Sequence, residues 1–119
     1  MNWILMPYLN CPEMTRQAIE DCLAQTLPIH LLLLDNGSQP EGRELANEYM
    51  RRDSRVLAWH HDPPLPSLSA VWNRALRFVW EAGGEHAWVV NNDARFHLAT
   101  YEVLLAVQLV NLRGRHLEL

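Results

Sequence analysis

Short apolar runs alternate along this chain with longer segments in which apolar residues recur every three or four positions. The clearest run is residues 31–34, four consecutive leucines, which is typical of a strand buried on both faces. A carboxylate, an amide, a glycine and a hydroxyl follow directly at residues 35–38. An open α/β sheet presents ligand-binding groups in this way, at the carboxyl ends of its strands.

The pattern as a whole predicts four strands, each followed by a helix. The predicted strands are residues 3–6, 31–34, 55–60 and 87–90, and the predicted helices are residues 12–25, 41–52, 68–81 and 100–112. Strands that alternate with helices form a parallel sheet through right-handed crossovers. The predicted fold is therefore one three-layer α/β/α domain, residues 1–119, with a mostly parallel, Rossmann-like sheet.

Composition narrows the classes of function. The net charge is -4 and the charges are scattered, so we expect no nucleic-acid partner. The chain contains no lysine, which excludes a P-loop and Schiff-base chemistry. Cys11 and Cys22 do not form a Cys-x-x-Cys pair and are too few for a disulfide framework. No signal peptide or membrane helix is evident, so we expect a cytoplasmic protein.

Polar residues follow each predicted strand, and the carboxyl ends of parallel strands share one edge of a sheet. Asp35 is suited to accept hydrogen bonds from a base or a ribose hydroxyl, and Asp93 to hold a divalent cation that bridges phosphate oxygens. For either acidic cluster taken alone, residues 35–38 or residues 91–93, a simple turn is the better interpretation. The proline-rich residues 62–67 predict a stiff loop where a cleft would need a wall.

Histidines and tryptophans offer further candidates, for which a structural role is the better interpretation. His60, His61 and Asp62 contain metal-binding groups, but adjacent histidines on a strand point to opposite faces. Four tryptophans fall at positions that we predict to face inward and pack in the core, namely Trp59, Trp72, Trp80 and Trp88.

Six short motifs occur in an order and spacing that resemble a known family. They are residues 6–13 (MPYLNCPE), 18–20 (AIE), 23–26 (LAQT), 34–38 (LDNGS), 68–70 (LSA) with Asn73, and 91–93 (NND). Their succession over about residues 3–98 resembles the amino-terminal half of the family 2 glycosyltransferases, which have the GT-A fold.

The resemblance implies a truncated GT-A fold that binds a nucleotide-diphosphate sugar of the UDP, dTDP or GDP type. It further implies a divalent metal, Mn or Mg, and inverting transfer to an unknown saccharide, lipid or protein acceptor. Asp93 would be the metal ligand and would assist departure of the nucleoside diphosphate. The donor-binding residues that the resemblance implies are Pro7, Tyr8, Asn10, Asp35, Ser38, Asn73, Asn91, Asn92 and Asp93.

Three positions depart from the family pattern. Asn91 replaces the first aspartate of the Asp-any-Asp motif, so we expect weaker metal binding. Leu9 stands where the family often has a tyrosine that packs on the base, which leaves open whether the neighbouring Tyr8 takes that role. Trp72 stands where an arginine often precedes the asparagine, which leaves Arg74 as a candidate phosphate contact.

The acceptor site and catalytic base of such enzymes lie in a second half, and no base is assigned here. Glu102 and Glu118 are interpreted as helix-surface and tail charges. One alternative is a truncated, non-catalytic nucleotide-binding or protein-interaction module of the same fold. Another is a sugar-phosphate nucleotidyltransferase, which the absence of glycine from residues 7–12 disfavours. An uncovered apolar helix face at residues 104–112 suggests a homodimer. Peripheral association with a membrane is an alternative to a purely cytoplasmic location.

Overall fold

The computed structural model describes residues 1–61 and 63–107. The elements follow in the order β1 (Asn2–Tyr8), α1 (Pro12–Leu23), β2 (His30–Asp35), α2 (Pro40–Arg52), β3 (Val56–His60), α3 (Leu68–Glu81), β4 (His86–Val89) and α4 (Thr100–Val107). The predicted alternation of four strands and four helices is confirmed, and α3 has the predicted bounds. The predicted continuation of the last helix beyond residue 107 lies outside the described residues.

The four strands form one sheet in the order β3-β2-β1-β4, and every pair is parallel. The two central strands, β1 and β2, are buried on both faces, which explains the unbroken apolar run at residues 31–34. In the register of the sheet, Tyr8 lies opposite Asp35, and Asp35 lies opposite His60. The polar ends of neighbouring strands are therefore brought side by side at one edge.

Alternate residues of the two central strands pack in two separate hydrophobic cores, one on each face of the sheet. Ile4, Met6, Leu31 and Leu33 pack against α1 and α2 on one face of the sheet. The residues between them face the other side and pack against α3, with a core of Trp3, Leu5, Leu32, Leu34, Val71, Ala75 and Val79. Two helical layers thus enclose the sheet, and the predicted three-layer α/β/α fold is confirmed.

The prediction that all four tryptophans face inward is wrong for Trp80. Its side chain is 46% exposed, whereas Val71, Ala75 and Val79 of the same helix are fully buried. Because those residues follow one another at spacings of four, they form the buried stripe of α3, and the next position along the helix points away from it. Trp59, Trp72 and Trp88 are half-buried.

No helix within the described ranges is long and apolar enough to cross a membrane.

Hydrogen bonds from α1 and from the turn after it hold the segment between β4 and α4. Gln25, only 7% exposed, donates from Nε2 to the carbonyl of His97 at 2.8 Å and accepts from the N–H of Tyr101 at 2.9 Å. Asp21 accepts from the guanidinium of Arg95 at 2.8 Å, and this bond lowers the pKa of Asp21. Because the segment follows β4 directly, these contacts also fix the polar residues at the end of that strand.

We expect Gln25→Ala to lower the free energy of unfolding by about 2 kcal/mol, because Tyr101 N–H and His97 C=O would lose their partner in a largely buried setting. Denaturant unfolding followed by circular dichroism measures the change. Gln39→Ala removes an exposed glutamine side chain and should change the free energy by less than about 0.5 kcal/mol. Equal effects of the two substitutions would contradict the assignment.

Candidate functional site

A cleft of about 300 Å³ opens at the carboxyl edge of the sheet. It is lined by the end of β1, the residue after β2, the first residue of α3 and the segment after β4, namely Pro7, Tyr8, Leu9, Asn36, Leu68, Asn91, Asn92 and Asp93. Asp93 is the single acidic residue among those described around it. Parallel α/β sheets bind ligands at this edge, so the cleft is the candidate site.

The polar segment after β4 places two amide groups and one carboxylate on one side of the cleft. Asn92 donates from Nδ2 to Oγ1 of Thr15 at 2.9 Å, and that hydroxyl donates to the carbonyl of Cys11 at 2.8 Å. Thr15 lies in α1 and is fully buried, so Asn92 is held by the start of α1. Asn91 and Asp93, on either side of it, are exposed.

These side chains fit a metal ion only if other ligands complete its shell. Across the described ranges, no group of three or more His, Cys, Asp or Glu side chains is placed to hold a metal. Mg²⁺ is bound by one or two carboxylates together with substrate phosphates, and Mn²⁺ takes the same oxygen ligands. One carboxylate beside two amides is therefore compatible with an ion shared with a bound diphosphate.

Asp35 does not reach the cleft surface, because it is fully buried. Its Oδ1 accepts the N–H of Ser38 at 2.8 Å, and its Oδ2 lies 2.7 Å from Nδ1 of His60. The other ring nitrogen of His60 lies 3.1 Å from Oδ1 of Asn47 in α2. The carboxyl group thus organises the turn after β2, and its contact with a nucleoside stays a prediction.

Asn10 and Ser38 join the loops that follow β1 and β2. The N–H of Asn10 donates to Oγ of Ser38 at 2.8 Å, and Oδ1 of Asn10 accepts the N–H of Gln39 at 2.7 Å. Asn10 has φ 58°, a left-handed conformation that asparagine adopts more readily than most residues. In this structure the two predicted site residues hold loops together beside the cleft.

Tyr8 belongs to the cleft lining, but its side chain is part of the core on the α2 side of the sheet. Its hydroxyl donates to the carbonyl of Gly42 in α2 at 2.7 Å, the residue is 4% exposed, and burial raises the pKa of the phenol. Leu9, which is 55% exposed, is the neighbouring apolar residue of the cleft lining. Tyr8 therefore does not offer its ring in place of the tyrosine that Leu9 replaces.

Two predicted residues of α3 lie outside the described cleft lining. Asn73 is exposed on the helix surface. The guanidinium carbon of Arg74 lies 5.2 Å from the centroid of the Trp59 ring, so this cation packs on an aromatic face.

His61, which follows β3, is 5% exposed, and neither of its ring nitrogens has a hydrogen-bond partner among the described residues. Burial, and secondarily the charge of Arg74, lower the pKa of His61. The neutral imidazole is therefore the favoured form in the folded protein. The ring of His61 packs edge-on against Trp59, with 6.3 Å between the ring centroids, and its structural role stays a prediction.

Sequence reasoning missed three residues that shape the cleft: Asn36, Leu68 and Thr15. Asn36 belongs to the same motif as Asp35, so its place beside the sheet edge was available from the sequence. Thr15 shares the buried face of α1 with Ala18 and with the residues that follow at helical spacing. A threonine among the apolar positions of that face was a signal for a polar contact but not for its partner, Asn92.

Comparisons with known proteins assign the chain to a class. The glycosyl transferase family 2 model matches residues 3–109, which is most of the chain. The chain therefore belongs to glycosyl transferase family 2, as the motifs predicted. No curated protein sequence matches it significantly.

Solved structures with the same fold include two complexes of S. aureus TarS 1-349. The complex with UDP-GlcNAc has a TM-score of 0.74 at 16% identity and covers 88% of this chain and 30% of that one. The complex with UDP has a TM-score of 0.73 at 16% identity, with 88% and 31% covered. The predicted GT-A fold is confirmed.

A third similar structure is the mannosyltransferase PcManGT from Pyrobaculum calidifontis in complex with GDP-Man and Mn²⁺. Its TM-score is 0.69 at 15% identity, and the match covers 80% of this chain and 28% of that one. This chain thus spans about a third of the length of the solved structures that it resembles.

We expect Tyr8→Phe to lower the free energy of unfolding by about 1 kcal/mol, because it removes the buried bond to the Gly42 carbonyl. Nucleotide affinity, measured by calorimetric titration of the folded variant, should stay within twofold of the wild type. A large loss of affinity without loss of stability would show that the hydroxyl acts on the ligand instead.

We expect stability to fall in acid because of His61. An unfolded histidine has a pKa of about 6.5, and the folded pKa is lower, so the unfolded chain binds more protons as the pH drops. The contribution is present above about pH 6.5 and is lost as the pH falls through that value toward the folded pKa. Unfolding free energies measured between about pH 7.5 and 5.5 should show this slope. His61→Leu should flatten it, and an unchanged slope would refute the assignment.

Proposed function

We propose that residues 1–119 are the donor-binding half of a glycosyltransferase and that the cleft binds a nucleotide-diphosphate sugar of the UDP, dTDP or GDP type. The observation that carries the proposal is the cleft at the carboxyl edge of the sheet, with Asp93 and two asparagines on one side, in a family 2 chain. TarS in complex with UDP and UDP-GlcNAc, and PcManGT in complex with GDP-Man, support this class of ligand.

The cleft has two chemically different sides, which suit the two parts of such a ligand. Leu9 and Leu68 are about half exposed and offer apolar surface for a nucleoside, beside the backbone at Pro7. Asn91 and Asp93 offer oxygens toward the diphosphate side. Asn73 stays a predicted contact with the ribose and diphosphate.

A divalent ion, Mn or Mg, belongs to the proposal. Asp93 would hold it, with the diphosphate supplying further oxygens, and the Mn²⁺ in the PcManGT complex supports this choice. The ion would act as a Lewis acid that offsets charge on the departing nucleoside diphosphate. Because Asn91 is neutral, the protein contributes one negative charge here, and we expect the ion to bind mainly with the nucleotide.

Transfer of the sugar with inversion, to a saccharide, lipid or protein, completes the proposal. It needs a base to deprotonate the acceptor hydroxyl. Glu102 accepts a hydrogen bond from the Thr26 hydroxyl at 2.8 Å, which suits its interpretation as a helix-surface residue. Glu118 lies outside the described residues. Cytoplasmic location, membrane association and a homodimer stay predictions.

A non-catalytic nucleotide-binding module is the second candidate, favoured by the single acidic residue around the cleft. The two candidates share the binding step and differ in turnover. An assay with the nucleotide sugar that binds separates them. A catalytic chain releases free sugar or transfers it to an added acceptor, and a non-catalytic module does neither.

We expect Asp93→Asn to lower the affinity for a UDP- or GDP-sugar about tenfold in the presence of Mn²⁺ and little in its absence, because one carboxylate ligand is lost. Calorimetric titration with UDP-, dTDP- and GDP-sugars, with and without Mn²⁺, measures this. Asp35→Asn should weaken binding equally in both conditions, since that side chain organises a loop.

Asp53→Asn is the matched control, because Asp53 pairs with Arg55 before β3, at the opposite edge of the sheet. Its nucleotide affinity should equal that of the wild type. If the folded wild type binds none of the nucleotide sugars, the proposed function is wrong.

A further inference from the structure

Asn36 connects three parts of the site at once. Its N–H donates to the carbonyl of Tyr8 at 3.1 Å, which ties it to the end of β1. Its side-chain Oδ1 accepts the N–H of Leu65 at 2.8 Å, and its Nδ2 donates to the carbonyl of the same residue at 3.3 Å. Both hydrogen-bonding groups of the amide are thus used on one backbone position, 29 residues further along the chain.

The neighbouring glycine makes a second contact with the same loop, residues 63–67, which we call the proline segment. A Cβ built on Gly37 would lie 2.5 Å from Cγ of Pro64, so this backbone and the proline ring are in close contact. Gly37 also has φ 93°, a conformation that favours glycine. The turn after β2 is therefore shaped to receive the proline segment.

The proline segment leads directly into the cleft lining. Ser67 ends it and caps α3, since its Oγ accepts the N–H of Ala70 at 3.1 Å. Leu68, the next residue, is 48% exposed and lines the cleft together with Asn36. The position of the apolar side of the cleft thus depends on where the proline segment is held.

We infer that Asn36 is a positioning residue for the nucleoside: it fixes the proline segment so that Leu68 stands as a preformed apolar wall of the donor cleft. This inference rests on the proposed function, because it assigns the nucleoside to this side of the cleft. Preorganised walls raise affinity, since less freedom is lost when the ligand binds. The effect is separate from that of Asp93, which lies on the diphosphate side.

Two variants disturb the same wall in different ways. Asn36→Ala removes both bonds to Leu65, and Gly37→Ala keeps Asn36 but forces a methyl group against Pro64. The control is Asn2→Ala, which also removes a side-chain hydrogen bond, to His86 at 3.1 Å, but at the start of β1. UDP, dTDP and GDP are the probes for affinity, with and without Mn²⁺. Amide hydrogen exchange at Leu65 reports on how firmly the proline segment is held.

We expect about tenfold weaker nucleotide binding in Asn36→Ala, by the same factor with and without Mn²⁺, and about tenfold faster exchange of the Leu65 amide. Gly37→Ala should weaken binding in the same metal-independent way, and Asn2→Ala should change neither quantity. A merely structural role would alter exchange or stability and leave affinity unchanged.

The inference is overturned if Leu65 exchange accelerates in Asn36→Ala while affinity stays within twofold of the wild type, or if the exchange does not change. It is also overturned if the loss of affinity appears only with Mn²⁺. If the folded wild type binds none of UDP, dTDP and GDP, the proposed function fails first and the inference fails with it. Should Asn36→Ala not fold, the affinity of Gly37→Ala decides.

Discussion

The carboxyl group of Asp35 is the interaction on which the edge of this sheet depends. A carboxyl group without access to water is tolerated only where its oxygens have partners. Here the partners are the backbone N–H of Ser38 and the ring of His60, which the parallel register places directly opposite. Ser38 in turn accepts a hydrogen bond from the N–H of Asn10 in the loop after β1, so one buried side chain links the ends of three strands beside the cleft.

Much of this fold follows from the sequence, because burial of a parallel sheet on both faces leaves a strong pattern. The leucines at residues 31–34 predicted a central strand, and the apolar stripe of α3 predicted that helix to its observed bounds. The sequence did not predict that the side chain of Asp35 is buried away from the cleft surface. Alternation says that its side chain shares a face with Leu33, but only the packing of α1 and α2 shows which face that is and that it is closed.

Contacts between residues distant in sequence account for the rest of what sequence reasoning missed. Asn36 meets Leu65 across 29 residues, and Asn92 meets Thr15 across 77. Composition and local pattern carry no record of such pairs. The motif resemblance located the carboxyl edge and the segment with Asp93, because the motifs stand directly after the predicted strands. It did not distinguish residues that line the cleft from residues that support it.

Binding of the nucleotide in the cleft at the carboxyl edge is the step on which the proposed function depends. An NMR titration of the folded chain with UDP and GDP, in the presence of Mg²⁺, tests it most directly. We expect amide shifts to change first at Leu9, Asn36 and residues 91–93, which line the cleft. Shifts confined to the opposite edge, around Glu20, Arg52 and Arg55, or no shifts at all, would contradict it.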